Sequence, residues 1–232
     1  MATGFIEYLL EIEKSSDLLA ANKKMNLLGK AKIPFLFIID FEQKKPLICP
    51  LAIINADEIL FDVNGKTNVT EIPSRNKSLE FKADTASEIR YRQAFDLVQK
   101  HLHYGNSFLL NLTTASRVET NFSLQEIFYH SQAKYKLWLK DQCVVFSPEI
   151  FVQTRGRKIS SFPMKGTIDA TLPDAENELL KNAKELAEHY TIVDLIRNDL
   201  SMVAKKVVVE RFRYIERIKT HRHELLQMSS EI

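Results

Sequence analysis

Between residues 134 and 162 four short runs of β type follow one another, at 134–139, 142–147, 149–154 and 157–162, joined by one or two residues each. A parallel crossover takes about a dozen residues or more, so these runs can only pair as an antiparallel meander. Gly156, in Thr154-Arg155-Gly156-Arg157-Lys158, supplies the turn between the last two. Upstream, 33–40 and 46–54 are β-rich runs joined by the polar Phe-Glu-Gln-Lys-Lys, a hairpin signal. The run 58–63 stops at Asn64-Gly65, a dipeptide suited to a tight turn with positive φ. Residues 107–115 and 207–218 also read as strands.

Helices fill most of the rest. From Glu88 to His103, Ile89, Ala94, Phe95, Val98 and Leu102 fall on one helical face, and Gly105 ends the element. Ser123 caps a short helix over 124–132. Pro173 and Asp174 open a long helix to about Val203, with Leu179, Leu186, Val193 and Leu200 toward its buried side. Phe5, Ile6, Leu9, Leu10 and Ile12 predict a further amphipathic helix at the start, and 66–86 reads as a polar surface connection. The fold class is α/β of the α+β type, with largely antiparallel sheets and outer helices.

The 32 basic residues against 30 acidic ones give a net charge of +2, with no basic block, so no nucleic-acid partner is expected. Glu7, Glu11 and Glu13 interrupt the opening apolar residues, and no later run approaches membrane-span length, so neither export nor membrane insertion is expected. Cys49 and Cys143 lack metal-ligand or Cys-x-x-Cys spacing, which predicts a reducing, cytoplasmic setting.

The chemistry centres on Lys165 within Phe162-Pro163-Met164-Lys165-Gly166-Thr167. A lysine is a nucleophile only when its pKa is brought down from about 10.4 by burial or a cationic neighbour. Gly166 permits close backbone approach and Thr167 adds a hydroxyl, a setting suited to an anionic ligand; a solvated lysine after a strand is the commoner case. Glu149 follows Ser147-Pro148, and pairing across Gly156 sets position 149 opposite about 163, so that Glu149 and Lys165 leave the same end of one hairpin. A carboxyl group there could act as a general acid, or be an exposed edge glutamate. Glu185 and Glu188, at i and i+3 of the long helix, can converge on a hard divalent ion such as Mg²⁺, or belong to a solvated face.

Four stretches, Gly105–Thr113 (GNSFLLNLT), Ser147–Phe151 (SPEIF), Phe162–Thr167 (FPMKGT) and Glu185–Leu200 (ELAEHYTIVDLIRNDL), stand in the order and near the spacing of component I of aminodeoxychorismate synthase. The chain resembles this para-aminobenzoate branch of the chorismate-binding enzymes. The family position of Lys165 is lysine in aminodeoxychorismate synthases and alanine in the related anthranilate and isochorismate enzymes.

The resemblance implies a sandwich of two antiparallel sheets with the active site between them. It implies that Lys165 attacks C2 of chorismate, that Glu149 protonates the departing C4 hydroxyl, and that ammonia then enters at C4 to give 4-amino-4-deoxychorismate on the way to folate. It further implies substrate contacts at Gly166 and Thr167, Mg²⁺ held partly by Glu188 with Glu185 beside it, and a separate glutamine amidotransferase subunit as ammonia source. Family members continue past the position of Ile232, so 1–232 reads as the N-terminal portion of a single chorismate-binding domain, incomplete at its C-terminus. Leu109 stands where the family has glutamine, and Leu226-Gln227 where many members have two histidines. Anthranilate synthase component I, or an inactive fragment that binds an amidotransferase, are the alternatives.

Overall fold

The computed structural model describes residues 11–14, 17–74, 76–84, 87–220 and 223–232. They fall into two compact units, one built from the chain up to residue 70 and again from 132, the other from Glu71–Ser131.

The first unit opens with β1 (Glu13–Lys14) and α1 (Leu18–Lys30). Asp17 starts α1 by accepting the Leu19 N–H at 2.8 Å. Ala21 and Leu28 of this helix pack on Ile48, fringed by Met25, Leu27, Ile33 and Phe35. Ile48 lies on β3 (Leu47–Pro50), the centre of a sheet ordered β1-β3-β2, with β2 at Phe35–Ile38. The expected hairpin over 33–54 is therefore present, and its second strand runs on into a single 3₁₀ turn at Leu51–Ile53. β4 (Ile59–Val63) and β5 (Lys66–Thr67) flank Asn64-Gly65, whose φ values of 51° and 85° match the two-residue turn that the dipeptide predicts.

The second unit holds β6 (Phe81–Ala83), α2 (Glu88–His103), β7 (Val118–Thr120) and α3 (Leu124–His130). β6 and β7 pair antiparallel. Ser123 and Glu126 close a reciprocal capping box at the start of α3. The strand expected over 107–115 is absent: the run is irregular, and Phe108, at 92% exposed, has no layer to pack against among the described residues. β propensity makes a strand only where a neighbouring strand accepts its ladder bonds.

Back in the first unit, β8 (Tyr135–Leu139) and β9 (Cys143–Ser147) extend β4 and β5 into a sheet ordered β5-β4-β8-β9. β10 (Gln153–Arg155) and β11 (Lys158–Ser160) form a hairpin across Gly156. Next come β12 (Met164–Asp169), α4 (Ala175–Lys181), α5 (Ala183–Ser201), β13 (Arg211–Lys219) and β14 (Glu224–Glu231), with the sheet order β12-β14-β13. Ala175 and Leu179 of α4 pack on Leu226 and Met228 of β14, joined by Ile168 and Ile215. Each fully buried leucine or methionine there contributes about 1.5–3 kcal/mol of transfer free energy.

The α/β class with antiparallel sheets is as expected, distributed among the described residues over five small sheets. The single helix expected from 173 to 203 is two, because the Asn182 side chain accepts the N–H groups of Lys184 and Glu185 and so starts α5 afresh. The last expected strand begins at Arg211 rather than 207, and β14 was not foreseen. Phe5 to Leu10 of the expected opening helix lie outside the described residues.

Candidate active site

Lys165 lies on β12, half-buried, opposite Met228 of β14. It is not at the end of the β10–β11 hairpin, as the sequence suggested. That hairpin stops at Ser160, and Ser161 exchanges backbone hydrogen bonds with Ile232 at 3.1 and 3.0 Å. Pro163, which has no N–H, accepts from Ser230 at 3.1 Å and carries the chain across to β14.

One residue beyond the lysine the ladder is interrupted. Lys165 pairs with Met228 and Thr167 with Gln227, so Gly166 is an extra residue on β12. Its φ of +79° and its surroundings both require glycine: a β-carbon would lie 2.9 Å from Leu179 Cδ1 and 3.2 Å from Glu185 Oε2. The bulge also sets the faces. Lys165 shares the row of Met228 and Ile215, on the side of α4, whereas Thr167 shares the opposite-facing row of Gln227 and Glu216. The structure thus brings Gly166 to Lys165 but turns the Thr167 side chain to the other side of the sheet.

Glu149 comes from the loop between β9 and β10. The Ser147 hydroxyl fixes that loop, accepting the Glu149 N–H at 3.2 Å and donating to the Glu149 carbonyl at 3.0 Å. Glu149 Oε1 then accepts the backbone N–H of Met164 at 3.3 Å. Gln153 pairs with Ser160 and Arg155 with Lys158, and that register, extended back, carries Glu149 to Met164, one place beyond the expected partner. Although Glu149 is exposed as a residue, protein around its carboxyl displaces solvent and pushes its pKa up, against the opposing pull of the Met164 N–H and the Lys165 charge.

Glu185 and Glu188 project from the first turns of α5, with side chains 21% and 32% exposed. Lys184 Nζ stands 3.4 Å from a carboxylate oxygen of each, and the two glutamates, Glu188 first, hold the Lys184 pKa up. Glu185 borders Gly166, so one of the two carboxylates reaches the bulge beside Lys165. Among the described residues no three His, Cys, Asp or Glu side chains gather as a metal cage. The glutamate pair offers hard oxygen donors, and Glu185 Oε2 comes within 3.2 Å of where a β-carbon on residue 166 would lie, an approach that glycine permits. Such a set fits an ion like Mg²⁺, which keeps several waters and is held by one or two carboxylates plus substrate oxygens.

His189, seen in the sequence only as part of a polar helix, is fully buried. Its Nε2 is 2.7 Å from Ser230 Oγ, and Nδ1 has no partner among the described residues. Burial, and then the charge of Arg213, press its pKa down to about 4. A position four residues after Glu185, amid Leu186, Tyr190 and Val193, was the available signal. Of the cavities among the described residues, two, of about 820 and 410 Å³, lie elsewhere in this unit, and neither is lined by Lys165, Glu149, Glu185 or Glu188.

The family model for chorismate binding enzymes matches residues 34–232. The chain is 54% identical over 210 residues to an uncharacterized PabA-like protein of Haemophilus influenzae, covering 90% of this chain and 64% of that protein. With a second PabA-like protein, from Pasteurella multocida, it shares 50% identity over 213 residues, 90% of this chain and 65% of that one. Aminodeoxychorismate synthase component 1 of Bacillus subtilis is 28% identical over 185 residues, 71% of this chain and 39% of the relative. The chain thus spans just under two thirds of the length of the first two. In fold it is similar to a 2,3-dihydroxybenzoate-specific isochorismate synthase of Bacillus anthracis, with TM-score 0.58 and 17% identity over 95% of this chain and 62% of the other. With its antiparallel sheets, the Lys165 bulge and a family match over 34–232, the chain belongs to the chorismate-binding enzymes.

Proposed function

We propose that the protein is the chorismate-converting component of an aminodeoxychorismate synthase, forming 4-amino-4-deoxychorismate from chorismate and ammonia. The observation that carries this reading is the pairing of Glu149 with the backbone of Met164 beside Lys165, under protein that favours the protonated carboxyl. Similarity to aminodeoxychorismate synthase component 1 supports it.

In this mechanism the neutral Lys165 amine forms a bond to C2, the ring double bonds shift, and the C4 hydroxyl leaves as water with the proton of Glu149. Ammonia then bonds to C4, the double bonds shift back, and the C2–nitrogen bond breaks to free Lys165. One water is made for each ammonia consumed, and no oxidant is needed. Gly166 lets a ligand approach the backbone closely, and any contact at Thr167 would be made by its backbone, since its side chain shares the row of Gln227 on the other face. Glu188 and Glu185 would hold Mg²⁺, which supplies charge neutralisation for a substrate carboxylate. A glutamine amidotransferase subunit would supply the ammonia, and the whole chain would form the N-terminal portion of one chorismate-binding domain. The thiols of Cys49 and Cys143 agree with a cytoplasmic setting, and no described helix is long and apolar enough to cross a membrane.

The test is incubation of the protein with chorismate, Mg²⁺ and an ammonium salt, with products separated by chromatography. Appearance of 4-amino-4-deoxychorismate, abolished in Lys165→Ala, is expected. Anthranilate as the product, or turnover unchanged in Lys165→Ala, overturns the reading.

A further inference from the structure

The sheet β12-β14-β13 carries two bulges, and α5 meets both. At the first, Gly166 lies against Glu185. At the second, Arg211 pairs with Glu231 and Tyr214 with Ser229, which leaves Phe212 and Arg213 together on β13 opposite Ser230. Arg213 has a φ of 55°, its N–H donates to Ser230 Oγ at 3.0 Å, and its guanidinium donates to the Leu180 carbonyl at the end of α4. His189, one turn after Glu185, meets the same Ser230 oxygen at 2.7 Å, and its ring lies 5.7 Å from that of Phe212.

Ser230 Oγ is thus a joint at which a helix and two strands meet through a single atom. The imidazole there is fully buried with one nitrogen unpartnered among the described residues, an arrangement that apolar side chains of matching size at both positions would match or better for stability alone. What the imidazole adds is direction. A hydrogen bond fixes the rotation of α5 about its axis, which apolar packing alone holds less strictly, and Glu185 and Glu188 turn with the helix.

We infer that His189 is a positioning residue that, through Ser230, sets the carboxylates of Glu185 and Glu188 beside the Gly166 bulge. The inference rests on the reading of those glutamates as cation ligands. His189 touches neither ligand nor reacting atoms; it acts through the helix.

Mn²⁺ binding, followed by electron paramagnetic resonance on the full chain without substrate, tests this in the wild type, His189→Asn, His189→Leu and Ser230→Ala, with circular dichroism to verify folding. His189→Leu and Ser230→Ala should each weaken Mn²⁺ binding by about tenfold or more, the range seen when an outer partner of a metal ligand is lost. His189→Asn, whose amide can serve Ser230 as donor or acceptor, should stay within about threefold of wild type. In turnover, His189→Leu should raise the metal concentration needed for half-maximal rate more than it lowers the rate at saturating metal. Wild-type affinity in a folded His189→Leu overturns the inference; should that variant not fold, wild-type affinity in Ser230→Ala overturns it equally. Absence of Mn²⁺ binding in the wild type is a separate result, which removes the cation reading itself and the inference with it.

Discussion

One carboxylate oxygen of Glu149 accepts the backbone N–H of Met164 at 3.3 Å, tying the acid to the residue next to Lys165. The bond holds the carboxyl in place through a main-chain N–H, which no substitution at 164 other than proline removes.

If this carboxyl is the proton donor, Glu149→Gln should lower the rate of amine transfer by about 10²–10⁴-fold. Its raised pKa gives the sign of the pH dependence: the wild-type rate declines as pH rises through that value, a limb that the glutamine variant lacks. Stability follows the same sign, because the folded state holds this proton more tightly than the unfolded chain. The carboxyl's contribution is full below its ordinary value of 4.5 and is lost as pH rises through the raised one, so urea midpoints of wild type should fall relative to Glu149→Gln over that interval.

Gly166→Ala places a methyl group 2.9 Å from Leu179 Cδ1 at a φ of +79°. We expect a loss of about 1–3 kcal/mol by thermal or urea unfolding. Because Glu185 must also move, Mn²⁺ affinity should drop in whatever fraction stays folded.

Asn182→Ala removes the acceptor of the Lys184 and Glu185 N–H groups at 3.0 and 3.1 Å. The cap is worth about 1 kcal/mol. Hydrogen exchange should report faster opening confined to the first turn of α5, the turn that carries Glu185.

In the second unit, the Glu126 pKa is pulled down to about 2 by the Ser123 N–H and then by Lys77. A carboxylate favoured by folding stabilises above its ordinary value of 4.5, and that contribution is lost as pH falls toward about 2. Acid titration followed at α3 should therefore show Glu126→Gln converging on wild type below pH 4.5, after trailing it at neutral pH.

What the sequence revealed was whatever local chemistry decides. Asn64-Gly65, Gly156 and the Ser123 capping box act within a few residues, and each appears where its residue type required. The run 107–115 failed because strand formation depends on a neighbour that a one-dimensional pattern does not contain. Asn182 was legible as a cap but stood between two segments of good helix formers, so the break was overlooked. Glu149 and Lys165 were each identifiable, and pairing across Gly156 brought 149 to within one position of Met164, yet the strand that carries the lysine was not legible: Lys165 belongs to a sheet whose central strand lies some sixty residues downstream, as the pairing with Met228 shows. The part played by His189 depends on Ser230, 41 positions away.

The additional residue at 166 works as a parity switch in the strand. Side chains ahead of it and behind it obey alternations that are out of step by one, so that 165 and 167 look out from opposite surfaces of the sheet. Were the same residues run as a straight ladder, with those after 166 held in place, the amine at 165 would be transposed to the reverse surface, away from Met228. Excising the glycine instead would leave Lys165 facing Met228, so it is the extra residue taken up as a bulge that gives the lysine its address.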